Sequence, residues 1–238
     1  MKVKTRLMLG GFLSLISLTV LALIALSFQK TALLEERKLK TRHLVENTVT
    51  LVDYFYKRQQ SGELTPEAAQ TAATAAVKAI RYDGKEYFWI HDATMPTPRM
   101  IMHPTAPALD GQVMSDPKFN SAIQQQAGLD GLSVNVEGQN IFTVMNAVVA
   151  QKGLGFVTYN WTKPKEGGGA SAELYPKLSF VKKTEGWGWV VGSGIYIDDL
   201  EKRYWDLASR FAAIGVAAAL LLIAVIRWEI KSITNPLE

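Results

Sequence analysis

Two uncharged apolar runs, residues 7–28 and 211–226, bracket a long stretch of mixed pattern. A bilayer core takes about 20 helical residues to cross. The first run meets that length. The second is slightly short, and Arg210, Arg227 and Trp228 can carry it to the interface. The pattern therefore predicts a short inner terminus (residues 1–6), a membrane helix (7–28), an outer domain (29–209), a second membrane helix (210–228) and a short inner tail (229–238). Lys2, Lys4 and Arg6 before the first run, and Arg227 and Lys231 after the second, predict that both termini are cytoplasmic. Lys30, Arg37, Lys38 and Lys40 oppose that rule. The competing reading of the first run is a cleaved signal peptide ending at Ala25-Leu26-Ser27, and a second anchor downstream weighs against it.

Between the runs the period changes twice. Leu44, Thr48, Leu51 and Phe55 recur at helical spacing, which predicts a helix over 31–60 continuing from the membrane helix and ended by Ser61-Gly62. The same stripe is a candidate homodimer seam. Thr65-Pro66-Glu67 opens a second helix with Thr65 as N-cap. It runs through an Ala-rich stretch to Ile80, and Asp83-Gly84 is a turn. After Gly84 a period of two predicts strands over 87–92, 100–103, 156–161, 178–182 and 187–191. A mixed region (104–138) and a helix over 141–152, closed by Gly153, interrupt them. A last helix over 197–209 leads into the second membrane run. The fold class is α+β, with a five-stranded antiparallel sheet and a long N-terminal helix, flanked by two transmembrane helices.

Composition narrows the function. Hydrophobic residues make up 48% and charged residues 20%, and the net charge of +4 is spread out. No basic run interleaved with aromatics marks a nucleic-acid surface. The chain has no cysteine, which excludes disulfides and thiolate metal sites. No serine sits in a nucleophile-elbow setting, and Gly192-Ser193-Gly194 is too short for a phosphate loop, so no enzyme activity is expected. His91, Asp92 and His103 form a thin imidazole–carboxylate cluster. Zinc wants three or four converging ligands, and Asp92 should face away from His91, so neither a metal nor a cofactor is expected.

The blocks Tyr87-Phe88-Trp89-Ile90-His91-Asp92, Met100-Ile101-Met102-His103-Pro104, Gly153 through Pro164, Pro176 through Lys182 and Gly186 through Ile197 resemble, in order, those of single Cache domains. These are PAS-like extracytoplasmic sensors of chemotaxis receptors and sensor histidine kinases. The resemblance covers residues 31–199. It implies a periplasmic small-molecule sensor in the inner membrane, with short carboxylates as ligands held on the sheet. Residues 114–137 depart from the shorter connection expected of the family. Ile233-Thr234-Asn235-Pro236-Leu237 resembles the start of a HAMP linker. That leads us to expect either a piece of a longer receptor or a chain lacking its output module, whether chemotaxis hairpin, kinase or cyclase.

Strand alternation gives Tyr87, Trp89 and His91 a shared face, does the same for Tyr159, Trp161 and Lys163, and separately for Lys177, Ser179 and Val181. Aromatic walls with a few converging polar groups suit a small ligand. Lys177 is the candidate cation. Tyr87, His103 and Tyr159 are candidate hydrogen-bond donors, with His91 as a further imidazole, and Trp89 and Trp161 are candidate walls. Each has a plainer competitor. The tryptophans suit a strand core, Lys177 suits the wet face of an antiparallel sheet, and His103 suits a turn cap. A membrane-anchored dimerisation module without ligand is the third class.

Overall fold

The computed structural model describes residues 3–165, 169–229 and 231–232. The HAMP-like residues 233–237 and most of the 167–169 glycine run lie outside them. Helix α1 (Val3–Gln60) is continuous, and α2 (Pro66–Ala79) follows. Strands β1 (Phe88–Asp92) and β2 (Met100–Met102) come next. Two single 3-10 turns lead to β3 (Ala122–Ala127) and β4 (Val134–Asn135). Helix α3 (Ile141–Lys152), strands β5 (Leu154–Pro164), β6 (Ala170–Lys183) and β7 (Trp189–Tyr196), and helix α4 (Asp198–Glu229) complete the chain. The segment Glu36–Asp198 forms one compact unit, and the chain through Glu35 and from Asp199 forms another.

In the terminal unit, α1 and α4 each carry a stretch long and apolar enough to cross a membrane. Among their side chains Leu9, Phe12, Leu21, Leu220 and Leu221 are exposed, as lipid-facing positions would be. The two helices come close at Gly11, where a methyl group would lie 2.4 Å from the Ile226 side chain.

In the Glu36–Asp198 unit the local signals act as the sequence predicts. The Thr65 hydroxyl accepts from the Ala68 N–H, and Pro66 stands at the start of α2. Gly153 ends α3 at φ 73°. Asp83 and Gly84 turn the chain at φ 47° and 81°.

The sheet is antiparallel, in the order β2-β1-β7-β6-β5-β3-β4, and has two strands more than expected. The additions, β3 and β4, come from the region read as mixed. Gln124, Gln125 and Gln126 carry no strand signature. They are strand because β3 satisfies the free edge of β5, pairing Gln124 with Thr158 and Gln126 with Phe156. The two long hairpin strands also outrun their expected ends, and β7 continues through Gly192 and Gly194 to Tyr196.

One sheet face carries Tyr87, Trp89, Val157, Tyr159, Val181 and Val190 and packs on Ile141, Phe142, Met145 and Val148 of α3. The other buries Phe88, Ile90, Phe180 and Val191. Helix α1 lies over it, with Lys38 above the Phe156 ring, Asp53 accepting from the Glu185 N–H at 3.1 Å and Gln59 accepting from the Trp187 indole at 2.7 Å. In this unit the buried positions of α1 are Thr41, Val45, Thr48, Val49, Val52 and Asp53. The stripe expected at a dimer seam is thus partly turned onto the chain's own sheet. Thr48 is buried, and Leu44, Leu51 and Phe55 are half-buried.

Candidate ligand site

Register alone puts Tyr159, Lys177 and Tyr196 in one row, because Lys177 pairs with Tyr159 on β5 and with Tyr196 on β7. On an antiparallel sheet, directly paired residues share a face. Lys177 is 0% exposed, and its Nζ has no hydrogen-bond partner among the described residues. It is held instead by aromatic faces, 4.3 Å from the centroid of Tyr87, 4.9 Å from that of Tyr196 and 5.7 Å from that of Trp89. Cation–π contacts recover part of the lost hydration, and they leave all three N–H donors free.

The neutral donors surround this cation. The Tyr159 hydroxyl lies 3.0 Å from Ser179 Oγ, and burial raises its pKa well above the ordinary value, so it keeps its proton. The His103 ring lies 5.1 Å from the Tyr87 ring, 6.5 Å from Trp89 and 5.9 Å from Trp161. Its Nδ1 accepts from the Ala106 N–H at 3.1 Å, so the neutral ring carries its proton on Nε2. His103 therefore caps a turn and faces the aromatic cluster at once. Burial, reinforced by the charge of Lys177, pushes its pKa down to about 3.

Trp161 extends the wall, stacked 6.1 Å from Phe119 and edge-on to Phe142 at 6.2 Å. Phe119 belongs to the segment that departs from the expected connection, so that insertion contributes directly to the cluster. The arrangement is one buried cation, several neutral donors and apolar walls. It can take up a small anion, which would gain charge-assisted hydrogen bonds in a dry site.

The fold has counterparts in known proteins. A family model described as Cache domain matches residues 15–219. The chain belongs to the Cache family. It is 35% identical over its whole length to the methyl-accepting chemotaxis protein McpP of Pseudomonas putida, and spans 39% of that protein. It is 26% identical over 171 residues, 70% of the chain, to the sensor histidine kinase MctS of Rhizobium johnstonii, and spans 31% of it. The chain thus spans well under half the length of these curated relatives. A solved periplasmic sensor domain of a chemotaxis protein is 42% identical, with TM-score 0.55, covering 69% of this chain and 98% of that one. A Cache chemosensory domain solved to explain carboxylic acid recognition is 34% identical, with TM-score 0.54, covering 71% of this chain and 98% of that one.

Within the Cache unit, Tyr87, Trp89, His103, Tyr159, Trp161 and Lys177 converge. His91 does not reach the cation. It lies behind Trp89 with both ring nitrogens engaged. Asp92 is directed away, as alternation required, and its Oδ1 accepts from the N–H groups of Thr94 and Arg99. Sequence reasoning put Ser179 on the Lys177 face without giving it a role, and did not single out Tyr196, whose ring Lys177 approaches, or Glu86, which feels the charge of Lys177. Period two carried past Val191 would put Tyr196 on the same side of its strand as Val190; only the register of β6 and β7 makes that the Lys177 face. Glu86 is buried, with an Oε2 that has no hydrogen-bond partner among the described residues. Its pKa is raised by burial, which the charge of Lys177 partly opposes.

The buried imidazoles make stability depend on pH. Burial holds His91 at about 4 and His103 at about 3, against an ordinary value near 6.5. Below about pH 6.5 the unfolded chain takes up protons that the folded chain refuses, so stability falls with pH until the folded pKa values are reached. The slope is about 1.4 kcal/mol per pH unit per histidine. Glu86, raised rather than lowered, acts with the opposite sign as pH falls towards the ordinary carboxylate range. Thermal melts between pH 7 and 4.5 should show the fall, and His103→Gln should reduce its slope. A slope unchanged in His103→Gln would contradict the burial of that ring.

Proposed function

We propose that this chain is the sensing and membrane part of a chemoreceptor-type signalling protein, a non-enzymatic Cache sensor. It binds a two- to four-carbon carboxylate outside the cytoplasm and passes the signal through α4. The observation that carries this reading is Lys177, a buried cation with free donors, ringed by aromatic faces and unopposed by a hydrogen-bonded carboxylate. The solved relative concerned with carboxylic acids supports the ligand class, and McpP supports the type of output. In this reading the ligand carboxylate takes hydrogen bonds from Lys177 Nζ and His103 Nε2. Tyr87 and Tyr159 complete its polar side, and Trp89 and Trp161 limit its length.

The path to the membrane begins at Tyr196. Its ring centroid lies 4.9 Å from Lys177 Nζ and 5.2 Å from Lys163 Nζ. Lys163 pairs with Asp198, the first residue of α4, at 2.6 Å. The Tyr196 hydroxyl donates to the Thr162 carbonyl, and its own carbonyl accepts from Arg37 of α1 at 3.5 Å. Neutralising Lys177 changes the force on one face of this ring, and the ring and Asp198 are two residues apart. A ligand that favours one arrangement of this junction shifts its population. Pairing of two copies along α1 would have to use its exposed positions His43, Asn47, Thr50 and Tyr54, since Thr48 is buried.

The test is a ligand screen on the purified chain in detergent. Acetate and propionate should raise the melting temperature by linkage, and ethylamine should not. In the same samples, hydrogen exchange over residues 196–206 should change on acetate addition. Stabilisation by amines alone would remove the carboxylate reading. Stabilisation by acetate with unchanged exchange would remove the path through Tyr196.

A further inference from the structure

Three polar groups lie end to end beneath the ligand face, in a place where polar groups are costly. Trp89, His91 and Asn146 are 2%, 0% and 1% exposed. Burying such groups is tolerated only when each donor meets an acceptor, and here the roles close in one direction. The Trp89 indole N–H donates to His91 Nδ1 at 3.2 Å. That bond leaves the histidine proton on Nε2, which lies 3.1 Å from Asn146 Oδ1. Asn146 in turn donates through Nδ2 to the carbonyls of Thr94 at 2.8 Å and Asp92 at 3.3 Å. The chain of bonds runs from the aromatic wall through α3 to the backbone beyond β1.

A glycine also borders the indole. Trp89 pairs with Gly192 on β7, and a methyl group there would lie 2.3 Å from the indole ring. The absent side chain is the space the indole fills. Bordered by Gly192 and bonded to His91, the indole presents its ring to Lys177, which lies 5.7 Å from it. The low pKa of His91 keeps Nδ1 available as an acceptor at neutral pH.

We propose that His91 and Asn146 are positioning residues for the ligand site: they touch no ligand but lock the Trp89 indole in the one orientation that walls the Lys177 cation. This rests on the carboxylate reading only for the identity of the ligand. The lock itself is a statement about Trp89.

The test uses the full chain in detergent with [15N]indole-labelled tryptophan, acetate as the probe, and three variants. In His91→Leu the Trp89 indole N–H resonance, assigned by its loss in Trp89→Phe, should shift upfield. The acetate dissociation constant should rise at least about tenfold, the cost of about one lost positioning bond. His91→Gln supplies an acceptor and a donor at similar reach, and should restore the resonance and bring affinity within about threefold of native. A merely structural histidine would lower the melting temperature and leave the dissociation constant alone. Folded His91→Leu with native acetate affinity, or with an unmoved Trp89 resonance, would overturn the proposal. If His91→Leu does not fold, Asn146→Ser decides: it should weaken acetate binding and move the same resonance, and native values for both would overturn the proposal. If the native chain binds neither acetate nor propionate, the carboxylate reading falls, and the indole resonance alone decides the lock.

Discussion

Replacing Lys177 by Met should abolish carboxylate binding while leaving the ligand-free chain at least as stable as the native one. The two effects have one cause. Lys177 is wholly buried with no hydrogen-bond partner for Nζ among the described residues. A buried charge is costly until something pairs with it. Met keeps most of the length and removes the charge, so the ligand-free fold loses a penalty. A bound carboxylate, by contrast, would lose its charge-assisted bonds and be left desolvated and unpaired. That difference is worth about 3 kcal/mol or more, at least roughly a hundredfold in affinity. Isothermal titration with acetate and a melt of the ligand-free chain measure the two sides. Retained affinity in Lys177→Met would show that another cation does the work, with Lys163 the first to examine. A collapsed ligand-free variant would instead mean that Lys177 is structural.

A single methyl group at Gly194 should cost a large share of the stability. It pairs with Ser179 across β6 and β7. A Cβ there would lie 2.0 Å from Ser179 Oγ, 2.6 Å from the Leu178 carbonyl and 2.8 Å from Ser179 Cα. Two of those atoms are backbone in the middle of the sheet and cannot rotate away. Ser179 Oγ is also the partner of the Tyr159 hydroxyl, so the side chain that could move would disturb the ligand face. Overpacking of this kind costs about 1–3 kcal/mol, and the upper end applies where backbone must shift. In a sensor unit of this size that is a fall of roughly 6–12 °C in melting temperature for 3 kcal/mol. A Gly194→Ala melt within about a degree of native would show that the strands separate there more easily than their register suggests.

The sequence by itself determined what depends on neighbours in the chain. The caps at Thr65 and Gly153 and the Asp83-Gly84 turn are local hydrogen-bonding and φ/ψ preferences, and they appear where the residues put them. Alternation placed Tyr87 and Trp89 on one face, and Lys177 with Ser179, because side-chain direction in a strand needs no partner to define it. The two long apolar stretches were legible for the same reason.

Tertiary structure decided what depends on residues far along the chain. Gln124 to Gln126 became strand only because β5 offered an edge. Gly192 and Gly194 read as a break in a strand, yet they continue one, since the volume their side chains lack is taken by Trp89 and Ser179. That continuation is what brings Tyr196 to Lys177. Thr48 looked fit for a partner helix until the chain's own sheet covered it. His91 shares a face with Tyr87 and Trp89, but alternation fixes a side and not a depth. Only Asn146, fifty-five residues away on α3, holds the imidazole behind the indole instead of beside the cation.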